Sequence, residues 1–111
     1  MTNFDDFDLE VQDEKDSAPE HFNGAVSISG TPLTIIPSSG KVIQLAFIKV
    51  PSVRHPTTPN SLNDAIKFSI DGGTTYMVLL SGESQYIPGI FTNLKLDTNV
   101  NGTYYEVIVW S

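Results

Sequence analysis

The feature that most constrains the fold is a rhythm of short apolar runs. From position 22 onward, stretches rich in Val, Ile, Leu, Phe and Tyr recur roughly every 8 to 12 residues, each bounded by Gly, Pro, Asn or Ser. The runs cover 22–29, 32–37, 41–50, 65–70, 74–80, 84–88, 91–97 and 103–110. None sustains the 3.6-residue period of an amphipathic helix, and β-branched and aromatic side chains favour pleated backbone. The pattern predicts an all-β, antiparallel β-sandwich of about eight strands, jelly-roll or immunoglobulin-like, since strand number does not separate the two. Alternation within the runs predicts their faces. Tyr105, Val107 and Val109 share one side of the last strand, and Tyr104, Ile108 and Trp110 share the other. The run 41–50 has apolar residues at both parities, which predicts a central strand covered on both sides.

Charge divides the chain differently. Residues 1–20 hold eight acids against Lys15 alone, whereas residues 21–111 hold five acids and five bases. All of the net charge of −7 therefore lies in the leader. This predicts two parts: an extended acidic N-terminal arm over 1–21 and a neutral β-sandwich domain over 22–111. The arm has the acid density of a solvated tail. Yet Phe4, Phe7, Leu9 and Val11 interrupt it, and the last three alternate with Asp8 and Glu10 in the period of a strand. Such a segment can order by adding to the edge of a sheet, with these four side chains as its anchors.

The same inventory sets aside several functions. Without cysteine, disulfides, zinc–thiolate sites and thiol nucleophiles are unavailable. No run approaches the length of a membrane span, and the acidic start lacks the basic, then apolar, order of an export signal. No basic patch favours nucleic acid. Asp71-Gly72-Gly73 is followed by "TTYMVLL" and not by a helix, so it reads as a tight hairpin corner and not a phosphate cradle. His21 and His55 have no neighbouring ligand motif, and no nucleophile elbow or paired-carboxylate arrangement stands out. The expectation is a protein that is not an enzyme and binds neither metal nor cofactor.

One connection is long. "PSVRHPTTPNSLND" (51–64) carries three prolines and also Arg54 and His55. Loops of this length are uncommon in compact domains and are often functional or mobile. It is the second candidate contact surface, with Arg54 and His55 as candidate partner-binding residues beside Phe4, Phe7, Leu9 and Val11.

The segments "AIKFSIDGGTTYMVLLSGESQYI" and "NLKLDTNVNGTYYEVIVW" together resemble small β-sandwich structural proteins of tailed bacteriophage virions. The resemblance rests on Ser69 to Tyr76 (S-x-D-G-G-T-x-Y), on Leu80 to Glu83 and on the closing Tyr105 to Trp110, with "VSISGTPLTIIP" as paired opening strands. It implies a non-enzymatic virion component of the capsid decoration or auxiliary type, assembled in the host cytoplasm. Its implied partners are other virion proteins, the major capsid protein first, and further copies of itself. Two alternatives are a carbohydrate- or receptor-binding module of a tail or fibre, and a head–tail connector or tail component. The acidic leader lies outside the resemblance.

Overall fold

The computed structural model describes residues 19–111. Eight strands form in chain order: β1 Glu20–Val26, β2 Leu33–Ile35, β3 Ile43–Lys49, β4 Ala65–Ser69, β5 Met77–Leu80, β6 Ser84–Phe91, β7 Leu94–Thr98 and β8 Thr103–Trp110. They make two four-stranded antiparallel sheets, ordered β1-β8-β3-β6 and β2-β7-β4-β5. Strand one pairs with eight, two with seven, three with six and four with five. That nesting is the strand order of a jelly roll: the chain is folded in half at the β4–β5 connection and the doubled ribbon is wound into two layers. It decides between the two sandwich topologies the sequence left open.

The core lies between the sheets and is built by alternation. On β8, Tyr105, Val107 and Val109 are buried while Tyr104, Glu106, Ile108 and Trp110 face outward and are half-covered. Ala46 and Ile48 of β3, Ile66 and Phe68 of β4, and Leu94 and Leu96 of β7 complete the interior. Burying such side chains removes most of their apolar area from water, about 1.5–3 kcal/mol each before entropy is counted.

Four local expectations change. The Asp71-Gly72-Gly73 corner does join antiparallel strands, but across seven residues, 70–76. Asp71 explains the widening. Its Oδ1 accepts from Ser69 Oγ (2.6 Å) and from the backbone N–H of Thr74 (3.1 Å) and Thr75 (2.9 Å). Gly72 and Gly73, at φ 78° and 95°, let the chain wrap around that carboxylate. Second, β6 does not stop at Pro88. It runs to Phe91, because a bulge opposite Ile43–Leu45 absorbs Pro88 and Gly89 on an edge strand, where a missing N–H costs no ladder bond. Third, β3 is central within its sheet but is covered on one side only. Its outward Leu45 and Phe47 shelter against β8 and β6 neighbours, the Phe47 and Tyr86 rings lying 4.6 Å apart and tilted by 51°. Fourth, β1 begins at Glu20, so the sandwich starts two residues before the expected boundary.

Candidate interaction surface

The long connection 51–64 is pinned to the body. Val50 and Pro51 are buried at its start. Asn60 is 4 % exposed, and its amide mimics a peptide. Asn60 Nδ2 donates to Tyr104 O and to Pro51 O, both at 3.0 Å, and Oδ1 accepts from Tyr104 N at 2.8 Å. Tyr104 lies beyond the last β3–β8 pair, Lys49–Glu106, so the Asn60 side chain extends that ladder where β3 has ended. The loop is thus a built element and not a mobile excursion.

Within it, His55 Nδ1 accepts from the Thr58 N–H at 3.0 Å, which leaves Nε2 to carry the proton facing Glu106 Oε1 at 3.4 Å. His55 is therefore tied into its own loop and to β8. Arg54 beside it is exposed. Through Glu106, His55 reaches the rim of a shallow hollow lined by His21, Asn23, Phe47 and Glu106. Phe4, Phe7, Leu9 and Val11 lie outside the described residues. Among the described residues, no three of His, Asp and Glu come together as a metal site would need. Among the described residues, the one strongly shifted carboxyl is that of Asp71. Donation from Ser69 Oγ and the Thr75 N–H stabilises its charged form and lowers its pKa to about 2 from 3.8. This pKa follows from loop architecture, since its partners are residues of the same turn.

The surface that stands out is formed by two sheet edges. β5 and β6 are edge strands of different sheets, and they meet across the open mouth of the sandwich. Between them lies a cleft of about 330 Å³, lined by buried Phe68 and Ile87 and by exposed Ile70, Met77, Tyr86 and Pro88. Six of the exposed large apolar side chains fall in this short stretch: Ile70, Met77, Val78, Leu80, Tyr86 and Ile90. Ile90 is 80 % exposed and Tyr86 62 %. Edge strands are ordinarily blunted with charge, proline or brevity because their free N–H and C=O groups template pairing. Here β6 carries Pro88 and a bulge, whereas β5 is four residues long, has Glu83 bonded to both the N–H and the C=O of Leu80, and presents Met-Val-Leu-Leu. A signal was present in the sequence, because "MVLL" shows no polar alternation although its length is that of a short surface strand.

Fold and surface together define an eight-stranded jelly-roll domain with an apolar cleft between two sheet edges. No family model and no curated protein matches the chain. Among solved structures, similarity extends to a protein described under "Bacillus endospore appendages form a novel family of disulfide-linked pili". It has 15 % sequence identity and a TM-score of 0.37 and covers 85 % of this chain and 87 % of that one. The present chain contains no cysteine.

Proposed function

We propose that this protein is a non-enzymatic structural component of a tailed-phage virion, a capsid decoration or auxiliary protein that docks on neighbouring virion subunits. The observation that carries the reading is the uneven placement of exposed apolar side chains, which crowd the β5–β6 side of the sandwich. Contiguous exposed apolar surface is a mark of contact with another macromolecule. The neutral body fits a part packed in many copies, because like molecules then meet without long-range repulsion. Jelly rolls occur in virus coats and in lectins alike, so the fold is compatible with the proposal without selecting it.

The test is assembly. Particles produced with the full chain are expected to retain it through density-gradient purification, and a chain lacking residues 1–18 is expected to be lost from them. A truncated chain that is fully incorporated would refute the role given to the arm. A protein that never co-purifies with particles would refute the virion reading itself. A second reading, a glycan- or receptor-binding module, is favoured by one observation: Tyr86 is exposed on the rim of the cleft and lies against Phe47. Quenching of Tyr and Trp fluorescence by specific sugars on a glycan panel would support it over docking on a shell.

A further inference from the structure

We infer that the β5–β6 cleft seats a basic, apolar segment of a partner protein: an apolar side chain fills the mouth of the sandwich, and a neighbouring Lys or Arg lies at the Asp71 carboxylate. The inference rests on the assembly reading and deepens it by giving the chemistry of the partner that this side accepts.

The first observation is that the core is unfinished at this mouth. Met77 lies opposite Phe68 of β4, and Gln85 lies opposite Ile48 of β3. Opposed residues of an antiparallel pair share a face, so Met77 and Gln85 point the way two fully interior side chains point. Yet Met77 is 54 % exposed and Gln85 is exposed as well. The gap between the sheets is open here, above a floor of Phe68 and Ile87. Its 330 Å³ lies near the small end of the range for ligand pockets, about 300–1,000 Å³, which suits one or two side chains. An apolar group entering it completes the core and takes Ile70 and Met77 out of water.

The second observation is charge, and it selects the occupant. Residues 68–94, which span β5, β6 and the loops flanking them, hold Asp71 and Glu83 and no Lys, Arg or His. The rest of the described body, 19–67 and 95–111, holds four acids against five of Lys and Arg. The β5–β6 side is therefore acidic on a body that is otherwise balanced. Asp71 itself lines the cleft. Its own turn holds it through Oδ1 and keeps it charged near neutral pH. Among the described residues it forms no ion pair. Lys95 passes close by, its stem beside Gly73, but its Nζ donates to Thr34 Oγ1 at 3.3 Å. A Lys or Arg entering beside Asp71 can lay its stem on Tyr86 and Pro88 and keep its charged head in water at the rim. A neutral or acidic segment could fill the gap too, but it would meet nothing or repulsion at Asp71. Burial thus supplies the affinity and charge chooses the partner. The chain is a poor source of such a segment for itself, since its leader holds eight acids against Lys15 and a second copy brings a net charge of −7.

Methionine supplies the test. The full chain has two, Met1 and Met77, so labelling their methyl groups places one NMR signal in the cleft. The probes are three capped dipeptides, acetyl-Leu-Lys amide, acetyl-Leu-Gln amide and acetyl-Leu-Glu amide, titrated at low salt. All share the apolar group and differ in charge. The Lys peptide is expected to shift the Met77 signal and to bind about threefold or more tighter than the Gln peptide, with the Glu peptide weakest. Asp71→Asn keeps an Oδ1 acceptor for the turn and removes the charge. In that variant the three peptides are expected to bind alike, and continued binding of the Gln peptide shows that the cleft is intact. Equal or tighter binding of the Glu peptide, or a Lys preference that survives Asp71→Asn, would overturn the choice of a basic partner. No shift of Met77 with any peptide would overturn the cleft. Shifts that grow with the concentration of the protein alone would seat a second copy, and tighter binding of a peptide of residues 1–18 would seat the leader; either result overturns the assignment. All of these outcomes are separable from failure of the virion reading, which is judged by co-purification with particles.

Discussion

Replacing Asn60 by Ala removes a side chain that substitutes for a strand. Three hydrogen bonds disappear together, to Pro51 O, Tyr104 O and Tyr104 N. The Tyr104 groups lie at the end of the β3–β8 ladder and are only partly shielded, so water re-solvates some of them once the amide is gone. Taking the low end of the range for an abandoned buried polar group, about 1 kcal/mol per bond, the loss is about 3 kcal/mol. In a domain of this size that corresponds to a fall in Tm of roughly 12–24 °C. Urea unfolding followed by the single tryptophan, Trp110 on β8, measures the change beside the site. Trypsin supplies a local reading, because Arg54 is exposed within the same loop. Cleavage there is expected to be slow in the parent protein and many times faster in Asn60→Ala under conditions where the rest of the body stays folded. Asn60→Asp should resemble Ala, because it keeps an acceptor but loses both donated bonds. A stability change below about 1 kcal/mol with unaltered proteolysis would refute the pinning and return the 51–64 segment to a loosely held loop.

Two further perturbations test other joints. Asp71 is fully charged and bonded above about pH 4, and its lowered pKa means that this stabilisation is lost as pH falls from about 4 toward 2. Asp71→Asn is therefore expected to narrow the difference from the parent as pH drops through that window, measured as paired Tm curves, and parallel curves would contradict it. Gly24 faces Tyr105 across the β1–β8 pair, and a Cβ there would lie 3.2 Å from the Tyr105 hydroxyl. Gly24→Ala is expected to cost about 1 kcal/mol by crowding. In a Tyr105→Phe background, where that hydroxyl is gone, the same change should become neutral or favourable by about 0.5 kcal/mol through reduced chain entropy. An equal effect in both backgrounds would show that the contact does not govern the position.

Much of the fold was legible because the forces that set it are local. Alternation in "TYYEVIVW" fixes which side of β8 is interior, and the structure has Tyr105, Val107 and Val109 buried as the pattern predicts. All eight apolar runs became strands. What escaped depends on long-range pairing. Whether β5 is interior or an edge is decided by its having β4 on one side and no strand on the other, and "MVLL" hints at that only through its shortness and its lack of polar alternation. Among the aromatics of the body, Phe68, Phe91 and Tyr105 are buried whereas Phe47, Tyr86 and Trp110 face outward, because parity distinguishes two faces without saying which one meets the second sheet. Asn60 was hidden for a similar reason. Its partner Tyr104 is 44 positions away, and an Asn amid Pro and Thr looks like ordinary loop composition.

The two sides of the sandwich are finished differently, and that difference constrains how copies can meet. On one side the edges are β1, with Glu20, His21 and Asn23 exposed or half-exposed, and β2, which is three residues long. Polarity and brevity are the ordinary protections against edge-to-edge pairing. On the other side, β5 and β6 leave Met77, Val78, Leu80, Tyr86 and Ile90 in water. The asymmetry is one of degree, because Ile28 just past β1 and Ile36 just past β2 are also more than half exposed. Lys49 and Lys67, one strand in from the β6 and β5 edges, already face Glu106 and Asp97 across the ladder, so they add little attraction on that side. A contact made through the β5–β6 side would therefore be driven by apolar burial. Raising the concentration of a sulfate salt should strengthen it, whereas a contact held by ion pairs should weaken, and sedimentation at low and high salt distinguishes the two.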